Sequence, residues 1–432
     1  MRKILTHAWR AGVAACALNS MLGQVLAASA ADSSTQKELT LEQAIGLVAE
    51  RNPLGRALAL ESESLTSRSQ GEALAPAWAL QTDFENFGGT GSVSGVGSLE
   101  STVQLSRVIE RGGKLALRRE LGVREIDALT ADQQVRRAEL SAEVARRFIH
   151  VVSDQQSLVT ARRSVELART ARDVVKQRVE AGAASPAMLS RAEIALARAE
   201  IDAEHAEHEL ASSRVSLSVL WGDAQASFGT AAGAIFDLPK LESFESYTQR
   251  LSTNPDIERF ASDARAEDAR IRLAEAAKVA DVSVAAGVRR LEAFDEHALV
   301  ASFSIPLGTR QKAALAEKAA RANRARVDAD RESRLLELQA KLFELYQEIT
   351  HAGTEARALH TNIRPQAESM LTTTERGYRA GRFSLLELAD AQTQLLEVER
   401  QAIVAAAQFH TLLIEIQRVT GAPIRAFEGS SP

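Results

Sequence analysis

The 432-residue chain is 45% hydrophobic, 25% charged and only 4% aromatic, a globular rather than a disordered composition. Its net charge of −5 offers no basic excess, so no nucleic-acid partner is expected. Few aromatics beside abundant Ala, Leu, Arg and Glu point away from three ordinary compact domains and toward long helices that bury narrow stripes.

Residues 1–30 read as a secretory signal peptide. Arg2, Lys3 and Arg10 supply the basic start, Ala11 to Leu26 is largely apolar, and Ala28-Ser29-Ala30 has the small-residue cleavage pattern. Cleavage leaves a chain starting near Ala31 with a net charge of −8. The only cysteine, Cys16, lies inside this segment. Val13-Ala14-Ala15-Cys16 resembles a lipoprotein box, but only Ala11 to Ala15 separates it from Arg10, so lipidation and plain cleavage stand as alternatives. With the segment removed and Cys16 unused, no disulfide and no thiolate metal site can form. An exported chain of that kind fits the bacterial envelope. No later stretch approaches the 18 apolar residues of a membrane-spanning helix.

Next comes a short helix capped by Thr40, with Gln43 completing a capping box and Asn52-Pro53 ending it. A second helix is expected over 54–74. Two strands follow, over 77–86 (alternating Trp78, Leu80, Thr82, Phe84) and 99–109 (alternating Val103, Leu105). The Gly- and Ser-rich stretch from Gly88 to Gly97 is their hairpin loop. From Lys114 to Ala181 there is no proline and one internal glycine, Gly122, while Leu140, Val144, Phe148 and Val151 mark a helical stripe. At 1.5 Å per residue this helix is roughly 100 Å long, too long for an ordinary domain. Gly182 suits its left-handed end, Ser185 caps the return helix and Pro186 takes its first position. That return helix, over 186–220, carries alanines at inward spacings.

The chain then repeats. Asn52-Pro53 returns as Asn254-Pro255 after 202 residues, and Gly113-Lys114 is echoed by Gln311-Lys312 after 198. Val179 to Gly182 returns as Tyr378 to Gly381, and Trp221-Gly222 as Thr420-Gly421, both after 199. These landmarks predict two copies of one unit: residues 31–222 and 249–421, with a linker over 223–248 and a tail over 422–432. In the second copy the strands are expected over 281–292 and 298–305, the long helix from about 312, and the return helix over 385–420. There Gly381 ends the long arm, Ser384 caps with Glu387 at the third position, and Pro365 predicts a kink about sixteen residues before Gly381.

The fold class is therefore mainly α with a β-barrel part. Four alternating strands per chain have the period of outer-membrane strands, but a closed barrel needs about eight. The long hairpins also need lateral neighbours. Both features call for a homo-oligomer that is part barrel and part helical tube.

In duplication, strand pairs, long hairpins and Gly-x-x-Ser turns, the sequence resembles the outer membrane factors, the TolC-like ducts of tripartite systems, from Leu39 to about Gly421. Glu85-Asn86-Phe87-Gly88-Gly89, Gln104-Leu105-Ser106 and Glu110-Arg111-Gly112-Gly113-Lys114 are similar to its CzcC-like heavy-metal cation efflux branch. The resemblance implies a homotrimer with a twelve-stranded outer-membrane barrel and a periplasmic helical tunnel. It further implies a periplasmic adaptor (membrane fusion) protein and an inner-membrane proton-driven pump of the RND type as partners. The cargo would be cobalt, zinc, cadmium, nickel, copper or silver ions. A TolC-like duct for drugs or for type I protein secretion is the same-fold alternative. A poreless periplasmic coiled-coil scaffold is the alternative from another class, and the paired strands argue against it.

No enzyme is expected, since Walker, H-E-x-x-H and G-x-S-x-G patterns are missing and Gly112-Gly113-Lys114 lacks phosphate-loop spacing. No cofactor is expected either. By the resemblance, adaptors dock at Val179, Gly182, Ser185 and Leu189, and at Tyr378, Gly381, Ser384 and Leu388. The Leu and Tyr beside the turns are taken as exposed. Also by resemblance, Glu387 and Asp390 form a tunnel constriction; the competing readings are a capping-box glutamate and a solvated aspartate. The first-copy equivalents, Met188 and Arg191, are not acidic. Arg379 and Arg382, close to Tyr378 in sequence, are candidate latch residues. Seven histidines follow the signal segment: His150, His205, His208, His297, His351, His360 and His410. His205 and His208 share a helix face, but Glu204, Glu207 and Glu209 around them favour a solvated surface over a metal site.

Overall fold

The computed structural model describes residues 38–427. The signal segment with Cys16 and the end of the tail lie outside the described residues. Helix α1 (Leu41–Arg51) opens on the expected capping box, with Thr40 and Gln43 exchanging two hydrogen bonds of 3.2 Å. Helices α2 (Pro53–Glu72) and α6 (Pro255–Ala276) both start at the Asn-Pro landmarks. Each asparagine caps its helix, accepting at 2.8 Å from the N–H of Leu54 or Asp256. Each also donates its Nδ2 to the far end of its own copy: Asn52 to the Leu220 carbonyl at 2.7 Å, and Asn254 to that of Val419. One residue type thus caps a start and stitches it to an end, twice.

Strands β1 (Ala79–Glu85), β2 (Glu100–Ile109), β3 (Val282–Leu291) and β4 (Glu296–Ser304) form one antiparallel sheet in chain order. β1 and β4 are its unpaired edges. Register fixes two faces. Leu80, Leu105, Ala286 and Ala301 stand side by side, and next to them Thr82, Val103, Val288 and Leu299. The opposite face carries Asp83, Thr102 and Arg289 in one row, and Glu85, Glu100 and Glu296 in another. The apolar face is uncovered: Leu80 is 72% and Leu299 90% exposed.

Helix α3 (Lys114–Glu180) is one unbroken run of 67 residues. Its return helix α4 (Pro186–Ser218) buries Ala192, Leu196, Ala199 and Ala206 on it, the 3-and-4 spacing of a coiled-coil seam filled by small residues. After the short α5 (Phe244–Arg250) and α6, the second arm starts with α7 (Thr309–Arg357), and the return helix is α9 (Leu385–Thr420). α7 follows Gly308 at φ 82° as α3 follows Gly113 at φ 73°. The structural counterpart of Gly113-Lys114 is therefore Gly308-Thr309, not Gln311-Lys312. The lysine misled because its role is particular to the first copy: Lys114 Nζ reaches across to Asp281 Oδ1 and the Val279 carbonyl, each at 2.7 Å.

The second arm is not continuous. A π-helical turn, Ala358–Ile363, joins α7 to α8 (Arg364–Arg379). Pro365 lacks an N–H and its ring would strike the carbonyl four residues back, and the ladder widens into the π-helical turn just before it, at the place where the sequence led us to expect a break. Three apolar clusters result. One gathers α1, the middle of α3 and α9, and linker residues Phe228, Ala231 and Ile235. A second joins α5, α6, α7 and the end of α9. The third lies at the tips of the hairpins. No helix among the described residues is long and apolar enough to cross a membrane.

Candidate functional site

The two hairpin turns lie side by side, because residues from both pack into the third cluster. Val175 and Ala192 of the first hairpin are buried there with Leu371, Tyr378, Leu385, Leu388 and Leu395 of the second. Both turns are built alike. Gly182 donates to the Val179 carbonyl at 3.0 Å and Ala183 to that of Arg178 at 2.7 Å; Gly381 donates to Tyr378 at 3.0 Å and Arg382 to Gly377 at 2.8 Å. This pair of bonds requires a left-handed residue, and the two glycines sit at φ 70° and 71°.

Ser185 and Ser384 begin the return helices. Ser185 makes no side-chain cap bond, and Pro186 spares the helix one N–H there. Ser384 is part of a full capping box: its Oγ accepts from the Glu387 N–H at 3.2 Å, and Glu387 Oε2 accepts from the Ser384 N–H at 2.6 Å. The Ser384 hydroxyl also donates to Glu387 at 2.8 Å. The backbone and hydroxyl bonds from Ser384 hold the exposed Glu387 carboxyl below its ordinary value, so it is ionised at neutral pH. Asp390, one turn on, is exposed and has no hydrogen-bond or ion-pair partner among the described residues. Arg379 and Arg382 are exposed as well and form no ion pair there, so the protomer does not bring them onto Glu387 or Asp390.

The expected exposure of Leu and Tyr is corrected by the packing. Tyr378 is 2% and Leu388 4% exposed, and Leu189, Val179 and Met188 are half-buried against the same cluster. At 3.6 residues per turn these positions face the neighbouring hairpin, a fact hidden until the hairpins are known to touch. Arg178 of α3 covers the Tyr378 ring at 4.9 Å and donates to its carbonyl at 3.3 Å. The outward apolar positions are others: Phe383, whose ring lies over the bare backbone of Gly377, and Leu386, 60% exposed. Sequence reasoning missed both, and their first-copy counterparts are Ala184 and Ala187.

Three of the histidines line one groove, and the other four lie elsewhere. His205 pairs with Glu209 at 3.2 Å and His208 with Glu204 at 3.7 Å, along their own helix. His150 faces the same groove from α3 beside Asp154. His351 pairs with Glu355 at 3.8 Å, and His297 is exposed on β4. His360 stacks on Phe236 at 4.0 Å, and His410 is fully buried. No group of three or more His, Cys, Asp or Glu able to hold a metal occurs among the described residues.

The described residues thus form a twofold unit with an open-edged sheet and two paired helical turns. The sequence matches the outer membrane efflux protein family over residues 57–223 and 247–422. The chain belongs to that family. It is 26% identical over 387 residues to the cobalt-zinc-cadmium resistance protein CzcC of Cupriavidus metallidurans, covering 89% of this chain and 90% of that one. It is 24% identical over 245 residues to the nickel-cobalt-cadmium resistance protein NccC of Alcaligenes xylosoxydans xylosoxydans, 56% of this chain and 55% of that one. The fold superposes on a membrane protein from Pseudomonas aeruginosa with TM-score 0.73 at 17% identity, covering 90% and 92% of the two chains. It also superposes on CusC with TM-score 0.72 at 16% identity, covering 89% and 92%. This outer membrane efflux protein thus carries the expected fold class, long helical hairpins with a small sheet.

Proposed function

We propose that this protein is the exit duct of a tripartite, proton-driven efflux system that exports heavy-metal cations. The observation that carries the reading is the near full-length likeness to CzcC, a protein named for resistance to cobalt, zinc and cadmium. Three chains supply twelve strands, the apolar face with Leu80, Val103, Val288 and Leu299 turns to outer-membrane lipid, and edge β4 of one chain pairs with β1 of the next. The helices extend into the periplasm as a tunnel. The two copies, 31–222 and 249–421, alternate around it, each closed on itself by its asparagine, Asn52 or Asn254. A periplasmic adaptor docks at the turns around Gly182, Ser185, Gly381 and Ser384, on a surface that includes Phe383 and Leu386. An RND-type pump completes the assembly.

Three copies of Glu387 and Asp390 at the tip favour cations over anions. Both carboxylates contribute, since the Ser384 bonds keep the exposed Glu387 ionised and Asp390 is exposed beside it. Arg379 and Arg382 latch the closed tip through a neighbouring chain. The tip opens when the adaptor docks, and the duct itself does no chemistry. Deleting the gene should sensitise cells to zinc, cobalt or cadmium but not to dyes and detergents; the reverse pattern would reassign the duct to drugs. In planar bilayers Asp390→Asn and Glu387→Gln should each lower cation selectivity, and unchanged selectivity in both would remove the ring from the mechanism.

A further inference from the structure

The apolar face of the sheet carries two arginines in different surroundings. Arg290 of β3 stands in the row of Phe84, Ser101 and His297, at the end of the face away from the helices. It is paired within the chain, to Glu292 at 2.7 Å and Asp295 at 3.0 Å. Arg107 of β2 lies six residues beyond Ser101, about 20 Å along the strand, at the end that leads into α3. Val284 and Phe303 share its row. No carboxylate among the described residues pairs with it. Its Nε donates to the Pro76 carbonyl at 3.2 Å, and its guanidinium lies over the Trp78 ring at 5.2 Å. Trp78 is itself 58% exposed. Two contacts thus aim the guanidinium, while its two terminal nitrogens meet no acceptor among the described residues.

The surroundings share this excess of positive charge. Arg111, Arg310 and Lys312, beside the starts of α3 and α7, are exposed and form no ion pair among the described residues. Of the carboxylates near them, Glu110 is paired with Arg118 at 2.5 Å, Asp281 with Lys114 at 2.7 Å and Glu317 with Lys278 at 2.5 Å, which leaves Glu72 to offset four cations.

An arginine on a lipid-facing surface without an internal counterion is costly unless its long stem carries the charge to the polar boundary. A tryptophan beside it suits that boundary, with its ring among chains and its N–H among head groups. The planar fork of the guanidinium matches phosphate oxygens. Every phospholipid offers a phosphate, but a zwitterionic head group also brings a cation that the neighbouring Arg and Lys repel, whereas an anionic one does not. We propose that Arg107 and Trp78 form a site for the phosphate of an anionic phospholipid in the periplasmic leaflet, and that Arg111, Arg310 and Lys312 supply its preference for net negative charge. The inference rests on the reading that this face meets outer-membrane lipid, and it adds a ligand at one level of that face.

The test reads Trp78 fluorescence in the full-length protein reconstituted in phosphatidylcholine vesicles. These contain phosphatidylglycerol or phosphatidylcholine brominated at the same acyl position close to the head group. Trp221 is buried and Trp9 lies in the signal segment, and the quenching that remains in Trp78→Phe is subtracted. At equal mole fraction, brominated phosphatidylglycerol should quench about twofold more strongly than brominated phosphatidylcholine. Arg107→Gln should bring that ratio to about one, Arg107→Lys, which keeps the charge but not the fork, to an intermediate value, and Arg290→Gln should leave it as in wild type. A wild-type ratio near one, or an Arg107→Gln ratio equal to that of wild type, overturns the site and leaves the duct standing. If Arg107→Gln does not insert, an unchanged ratio in Arg107→Lys overturns it instead. Absence of quenching by either lipid overturns the reading that the sheet meets lipid, and the site with it.

Discussion

Gly381 separates the two roles of the tip, building the turn and receiving a partner. Its φ of 71° is strained for most residues with a Cβ, Asn and Asp being the tolerant ones, yet a Cβ added there meets nothing within 4 Å. Gly381→Ala therefore introduces conformational strain and no clash. The left-handed region costs about 1–2 kcal/mol, and the stiffer unfolded chain returns about 0.4–1 kcal/mol, leaving roughly 1 kcal/mol. That energy falls on the bonds from residue 381 to Tyr378 and from Arg382 to Gly377, so those amides should exchange about fivefold faster. Gly381→Asn tolerates the same φ and should stay within about twofold of wild type. Hydrogen exchange read by mass spectrometry checks the turn, and metal tolerance of a complemented deletion strain checks the partner. If an adaptor packs on the bare glycine, Asn abolishes export although the turn is intact. Equal exchange in the Ala and Asn variants would refute the strain argument, and full export by the Asn variant would refute docking at this residue.

Two further outcomes follow from burial. His410 donates through Nε2 to the Ile235 carbonyl at 3.0 Å, and burial holds its pKa near 4, well under the ordinary 6.5. Its folded value is depressed, so its contribution is complete above about pH 6.5 and is lost as the pH falls through about 4, up to about 3 kcal/mol per chain; unfolding midpoints against pH should show this slope, and His410→Gln should flatten it. A Cβ on Gly122 would stand 1.6 Å from Ser69 Oγ, where α2 crosses α3. Gly122→Ala should cost about 1–3 kcal/mol, and Ser69→Gly should relieve it, giving a double-mutant coupling of about 1 kcal/mol that independent sites would not show.

Local signals carried most of the fold. Thr40/Gln43 and Ser384/Glu387 bond as their spacing implies, because capping chemistry involves only residues three apart. Gly182 and Gly381 take left-handed φ for the same local reason. The helix α9 spans 385–420, as its cap and its closing glycine require. What the sequence hid depends on contacts between distant segments. The burial of Tyr378 and Leu388 follows from the first hairpin lying against the second. Arg163 pairs with Glu368 and Glu399, 205 and 236 residues away, which no spacing rule connects. Pro365 announced a break, and the form it takes, a π-helical turn over Ala358–Ile363, was not readable from the proline alone. Gln311-Lys312 failed as a landmark because a surface lysine carries no backbone constraint, whereas Gly308 does.

The open edges of the sheet set a rule for assembly. One chain has two free edges, β1 and β4. Two chains joined side by side still have two, and only closure into a ring leaves none. Hydrogen-bonding need is thus not relieved in instalments: the intermediate with two chains is as sticky as the single chain, while its apolar face has doubled. Ring closure is the one step that ends the hazard of pairing with stray strands. A copy able to add at one edge but not the other would cap a growing ring and hold its neighbours unfinished. Faults in β1 or β4 should therefore act on intact chains in the same cell, whereas faults in the helical turns should not.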